Sequence, residues 1–420
     1  MFGVEAQQAR EGRDPLDRRL RNQRELLVLG AFVGATVGAW VGARVRNYAA
    51  AQSRPKVIDW ERARTIAIRM NVGSRMSAGQ REQLTGYYRS LVDRAVPLIA
   101  EYTGEALPSP AQHVYAFDRI DWIDANLEGF AEVLRPLETM PELPDQPALR
   151  LGLVAWGRLS QTVATTEVGV LLGYLARRVL GQYDLVLLGR EPLAAGRLYF
   201  VEPNVVWLER MMRLNGADFR LWLALHETTH AYEFEAHPWL RDYINGLIHD
   251  WVRRLQSDSE ALKRVWQAIR DLPSISRTER ERSWLELFMS PEQRVLFQRL
   301  QAAMALIEGY SNHVMHAVGR SIIPSYTEIA RQFERRHQQR TVAEQLLARL
   351  TGLDLKLEQY RLGESFANQV VQRYGHDVLR LVWTGPEYLP SMDELRKPDR
   401  WVERVRSIGS RGPQPVPGVY

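Results

Sequence analysis

Asn215-Gly216-Ala217-Asp218-Phe219-Arg220-Leu221-Trp222-Leu223-Ala224-Leu225-His226-Glu227-Thr228-Thr229-His230 is the stretch that decides how the chain is read. Asn215-Gly216 breaks the preceding segment and Asp218 is the expected N-cap, so a helix runs from there towards His237-Pro238. Within it His226 to His230 matches H-E-x-x-H. Histidines four apart on a helix lie one turn above each other, so both imidazoles can reach one ion. The glutamate after the first histidine can then meet a metal-activated water without being a ligand itself. Ala224, Thr228, Thr229 and Ala231 are uncharged and Tyr232 is bulky, so the helix can lie buried behind the site. The alternative is a core helix whose histidines hydrogen-bond to neighbouring polar groups, because unpaired polar burial is costly.

A catalytic zinc site takes three protein ligands and keeps one position open. His237 lies seven positions past His230, and the longer H-E-x-x-H-x-x-G-x-x-H pattern would need a glycine and a histidine where Glu233 and Ala236 stand. Glu308 is the better candidate. Ser290-Pro291-Glu292-Gln293 has the form of a capping box, and the helix it starts carries Met304, Glu308, Asn312 and Met315 or His316 on its inner stripe. A carboxylate on an apolar stripe needs a partner, which a zinc ion would be; the alternative is a glutamate at the rim. His316, one turn past Asn312, is a candidate partner of the metal or of Glu308, and His313 reads as structural. Tyr310 is a candidate hydrogen-bond donor to an oxyanion, whereas Glu233 and Glu235 are expected to face solvent.

Composition narrows the chemistry further. The 420 residues contain no cysteine, which excludes disulfides, cysteine zinc sites, thiolate-held clusters and thiol catalysis. Any metal must be held by His, Asp or Glu. Apolar residues make up 45% and charged residues 25%, as in a folded globular chain. The pI of about 9.4 overstates the basic character, since 55 Lys+Arg against 50 Asp+Glu leave a net charge of only +5. Basic residues are interleaved with others, as between Arg331 and Arg340, without the stripe and stacking aromatics of a nucleic-acid reader. No nucleic-acid partner is expected.

Residues 1–25 are charged and mixed in sign, the composition of a flexible arm. Residues 26–46 form a glycine-rich apolar segment, uncharged from Leu26 to Ala43. Gly30, Gly34, Gly38 and Gly42 share one helix face there, the pattern of either a membrane span or a tightly packed core helix. The late start and the arginines that follow argue against a cleavable signal peptide. The expected location is the cytoplasm, with membrane association through 26–43 as the added possibility. The body spans 57–405 and a Gly/Pro-rich tail covers 406–420. In the body, apolar spacing is helical from Asp59 to Tyr102, near Trp122 to Leu137, from Ala148 to Leu180, and over the remainder after Val201 until about Arg396. Gly169 and Gly173 share a close-packing face. Strands are expected at His113 to Phe117, Tyr183 to Leu188 and Arg197 to Val201. The fold class is mostly α with a small β element (α+β).

These residues resemble the type 2 zincin-like metallopeptidase family, whose bacterial members are often described as hydrolases associated with deazaflavin-coenzyme biosynthesis. The resemblance runs from Asp59-Trp60 through Asp118-Arg119, Trp122 to Asn126, Leu180-Gly181-Gln182-Tyr183-Asp184 and Val201-Glu202-Pro203-Asn204. It continues in Asp218 to Trp222, His226 to His230, Pro238 to Arg241, Glu308-Gly309-Tyr310 and His313-Val314-Met315. Lys356, Gln359-Tyr360, Gly363, Phe366, Trp383, Pro386 and Leu389-Pro390 complete it. The resemblance implies a zincin-like fold whose active-site helix carries the motif, with His226, His230 and Glu308 as ligands of Zn²⁺ and Glu227 as general base. Asn312 and His316 stand where the family pattern has acidic residues, so no role passes to them. The Leu26 to Ala43 run lies outside the matched part. The function expected is a zinc-dependent hydrolase acting on a peptide or protein; the alternative is a non-catalytic zincin-like scaffold or a membrane-tethered partner-binding protein.

Overall fold

A computed structural model describes residues 58–73, 75–107, 113–138, 150–183, 197–257, 289–338 and 353–410. Helix α1 (Trp60–Met70) starts at Asp59, whose carboxylate accepts the Arg62 N–H. It stops at Asn71, which donates to the carbonyls of Ala67 and Gly173. Gly73 turns the backbone out of helical space at φ 92°, and α2 (Ala78–Thr103) restarts on a Ser77/Gln80 capping box. The single helical stretch expected from Asp59 is therefore two helices.

Next come β1 (His113–Phe117), α3 (Arg119–Glu138), α4 (Arg150–Leu175), β2 (Gly181–Tyr183) and β3 (Arg197–Val201). The strands form one sheet in the order β1-β3-β2, with β3 parallel to β1 and antiparallel to β2. A parallel pair needs a crossover, and α3 and α4 lie in it. β3 is apolar almost throughout because helices cover both faces of the sheet. Leu198 and Phe200, opposite Val114 and Ala116, enter the main core, and Phe200 stacks flat on Tyr88 of α2 with ring centres 4.1 Å apart. Val201 packs with Trp122, Ile123 and Leu172. The α1/α4 crossing is close: a Cβ at Gly169 would stand 2.7 Å from the Ala63 carbonyl oxygen, and one at Gly173 2.8 Å from the Met70 sulfur. That is the close packing their spacing predicts. β2 begins two residues before the expected Tyr183, and the rest of that expected strand lies outside the described residues.

The chain continues as α5 (Glu202–Met212), α6 (Gly216–Glu235), α7 (Pro238–Ser257), α8 (Pro291–Ile322), α9 (Tyr326–Gln338) and α10 (Leu353–Tyr374). α8 starts on the expected Ser290/Gln293 capping box and packs against both α6 and α10. At the α8/α10 crossing a Cβ on Gly309 would lie 2.1 Å from the Gly363 carbonyl carbon, so two glycines let the backbones touch. Short elements α11 (His376–Arg380), α12 (Met392–Arg396) and α13 (Pro398–Ser410) close the fold. α13 lies past the expected helical limit at Arg396 and carries helix into the tail expected to be loose after Arg406. Its apolar face explains this: Trp401, Val402 and Val405 are buried, with Trp401 edge-on to Phe366. The molecule is mostly α with a small β element, as its sequence predicts. The Leu26 to Ala43 run lies outside the described residues; among those described, no helix is long and apolar enough to cross a membrane.

Candidate metal centre

The helix that carries the motif, α6, is capped by Asn215, whose side chain accepts the Asp218 N–H. Asp218 is thus not the expected N-cap; it sits inside the first turn, and its carboxylate accepts the Ser325 N–H just before α9. Arg220 pins the N-terminal half, pairing with Glu202 at 2.7 Å and Glu209 at 2.5 Å, while the Tyr88 hydroxyl donates to Glu202 at 2.6 Å. From Glu227 to Phe234 every residue is buried, so this half has no solvent face.

Across from it, α8 presents Glu308. One donor atom from each of His226, His230 and Glu308 lies within 4.8 Å of the others. Glu308 Oε2 stands 3.8 Å from His226 Nε2 and 3.6 Å from His230 Nε2. The two imidazoles meet edge to face, ring centres 4.7 Å apart. Tetrahedral zinc with bonds of about 2.0–2.1 Å spaces its donors by about 3.4 Å. The two histidine–carboxylate separations lie close to that spacing, so two imidazole nitrogens and one carboxylate are a donor set that fits zinc. Glu227 is also buried and lies under β2: a Cβ at Gly181 would stand 2.7 Å from its Oε1. Strand β2, one of the two edge strands among the described residues, therefore runs directly beside that carboxylate.

The outward nitrogen of each histidine is occupied. Ser311 donates its one hydroxyl hydrogen to the His226 carbonyl oxygen at 3.1 Å, so at 3.0 Å its oxygen accepts from His226 Nδ1. Glu233 Oε2 lies 2.8 Å from His230 Nδ1. Both contacts place a proton on Nδ1 and leave Nε2 to face Glu308. Burial first, and then the charge of His230, hold His226 down at about 3, which keeps it neutral. Burial would depress His230 too, but the Glu233 and Glu308 carboxylates outweigh it and raise this histidine above its ordinary value. Burial lifts the Glu233 carboxyl to about 7 against the pull of His230.

Glu233 thus corrects the expectation of a solvent-facing side chain: it is fully buried. Its spacing of three from His230 carried the signal, since such residues share a helix face. Ser311, three residues past Glu308, is the other site residue that the sequence reading missed. His316 does not reach Glu308; its Nδ1 meets the Asn312 carbonyl at 2.8 Å and Glu364 at 3.2 Å. His313 is structural as expected, held between the Tyr102 hydroxyl and Asn368. Tyr310 is sealed from solvent, edge-on to Trp383, and not at an open face. His237 stacks on Trp383 at 5.0 Å, apart from the three-residue cluster.

The family model described as zincin-like metallopeptidase matches residues 58–402, and the chain belongs to that family. Among solved structures it is similar to the crystal structure of "a putative hydrolase with a novel fold from Chloroflexus aurantiacus", at 41% identity and a TM-score of 0.61. The match covers 83% of this chain and 99% of that one. No curated protein matches the chain.

Proposed function

We propose that the protein is a zinc-dependent peptidase in which His226, His230 and Glu308 hold the ion and Glu227 is the general base. The observation that carries the reading is the convergence of those three donor atoms within 4.8 Å, with both histidines turned so that Nε2 faces Glu308. Bound zinc supplies Lewis acidity, polarising a carbonyl and lowering the pKa of a coordinated water. Glu227 takes a proton from the attacking water at its carboxylate and delivers it to the leaving amine as the C–N bond breaks. The outer strand β2 pairs with an extended substrate backbone, which sets the scissile bond beside Glu227. A peptide or protein is therefore the substrate class.

Elemental analysis tests the ligand set. Wild type should carry about one zinc per chain, and His226→Ala and Glu308→Ala should each lose it. Glu227→Gln should keep its zinc while cleavage of a fluorescent peptide library falls by roughly 10²–10⁴. Full cleavage by that variant would remove Glu227 from the mechanism. Zinc without cleavage in wild type would leave the fold a zinc-holding scaffold.

A further inference from the structure

Glu233 is the least satisfied acid in the site. Its side chain has no exposure, one oxygen meets His230 Nδ1, and the other has no hydrogen-bond partner among the described residues. The buried Tyr310 hydroxyl is likewise without one. Native interiors rarely keep a half-satisfied carboxylate unless chemistry uses it. The partner of this one is a histidine whose far nitrogen points at Glu308. His226 is held differently, by the neutral hydroxyl of Ser311. The two histidines are therefore oriented by acceptors of unequal strength, since a charged acceptor makes the stronger bond.

Resting on the reading of His226, His230 and Glu308 as zinc ligands, we propose that Glu233 is a positioning residue. It holds the Nδ1–H of His230, keeps Nε2 turned towards Glu308, and makes His230 the more strongly donating of the two histidines once an ion is bound. Glu233 touches neither the ion nor the substrate, so its effect appears first in metal affinity. Outer contacts of this kind typically govern 10–100-fold in affinity.

The test measures zinc affinity on the full chain by competition with a chromophoric chelator, for wild type, Glu233→Gln and Glu233→Met. Methionine fills a similar volume but has no comparable acceptor, whereas the glutamine oxygen still accepts from Nδ1–H. Circular dichroism confirms that each variant is folded. Glu233→Met should bind zinc about 10–100-fold more weakly, and its cobalt(II) absorption bands should move. Glu233→Gln should recover part of the loss. Wild-type affinity in Glu233→Met would overturn the assignment. So would a loss that Glu233→Gln fails to reduce, because the hydrogen bond would then not be what matters. A wild type that takes up no zinc would instead overturn the ligand reading, and this inference with it.

Discussion

Two buried glutamates bear on α6, and they are satisfied in opposite ways. Glu202 accepts from the Tyr88 hydroxyl and from Arg220, which also reaches Glu209, so its charge is balanced within the protein. Glu233 has a histidine on one oxygen and, among the described residues, no hydrogen-bond partner on the other. The first network is closed and anchors the N-terminal half of the helix. The second is open, and perturbed groups of that kind gather where a site does chemistry. Removing the cation from the closed network should give the largest effect on stability. Arg220→Met leaves Glu202 buried without a counter-charge and should cost about 3–5 kcal/mol in denaturant unfolding. The zinc affinity of the molecules that remain folded should be nearly unchanged. A cost below about 1 kcal/mol would reduce the network to the rank of a surface ion pair.

Gly309 sharpens the contrast because it joins architecture to site. Gly309→Ala drives a Cβ into the Gly363 backbone, and the α8/α10 crossing must open. The expected cost is roughly 1–3 kcal/mol. Glu308 is the adjacent residue, so zinc affinity should fall in the same variant, unlike in Arg220→Met. Unfolding and chelator competition on both proteins separate the two behaviours. Gly181→Ala should do the reverse. Its methyl would meet the Glu227 carboxylate, not backbone, so zinc content and stability should hold. Cleavage should drop by about 10²-fold, as a misplacement of about 1 Å can cause. Unchanged cleavage would show that β2 does not position Glu227.

The features legible in the sequence are those set by local spacing. The i,i+4 histidines, the Ser290/Gln293 box before α8, the Gly169/Gly173 face and the apolar run of β3 all announce themselves within a few residues. Glu308 was reachable too, as one carboxylate on an otherwise apolar stripe. Glu233 was only half legible: its spacing of three from His230 puts it on that helix face, but a lone glutamate between Tyr232 and Phe234 does not announce that it is buried. Its burial comes from the tertiary packing of other elements around α6, which no local spacing encodes. The N-cap was missed for a related reason: Asn215 and Asp218 are both good caps, and the contact from Asp218 to Ser325 that decides between them spans 107 positions. The break at Gly73 depended on a left-handed φ that helical apolar spacing does not encode.

Glu167 on α4 takes the comparison to its limit, since among the described residues it has neither arginine nor histidine as a partner. Its Oε1 is buried without a hydrogen-bond partner among the described residues, and burial lifts the carboxyl to about 7. The folded chain therefore keeps a proton that the unfolded chain, with an ordinary glutamate value near 4.5, has already released. Between those two values the folded state binds more protons, so stability must fall as pH rises, and the loss is complete above about 7. The side chain is only partly buried, and solvent screening makes this the smallest effect of the set. Unfolding midpoints from pH 5 to 8 should fall less steeply in Glu167→Gln than in wild type, because the amide has no proton to lose. Parallel slopes would mean that the charge of Glu167 is tolerated in the folded state. The cost of an unpaired buried carboxylate would then be peculiar to the metal centre, and Glu233 would stand alone.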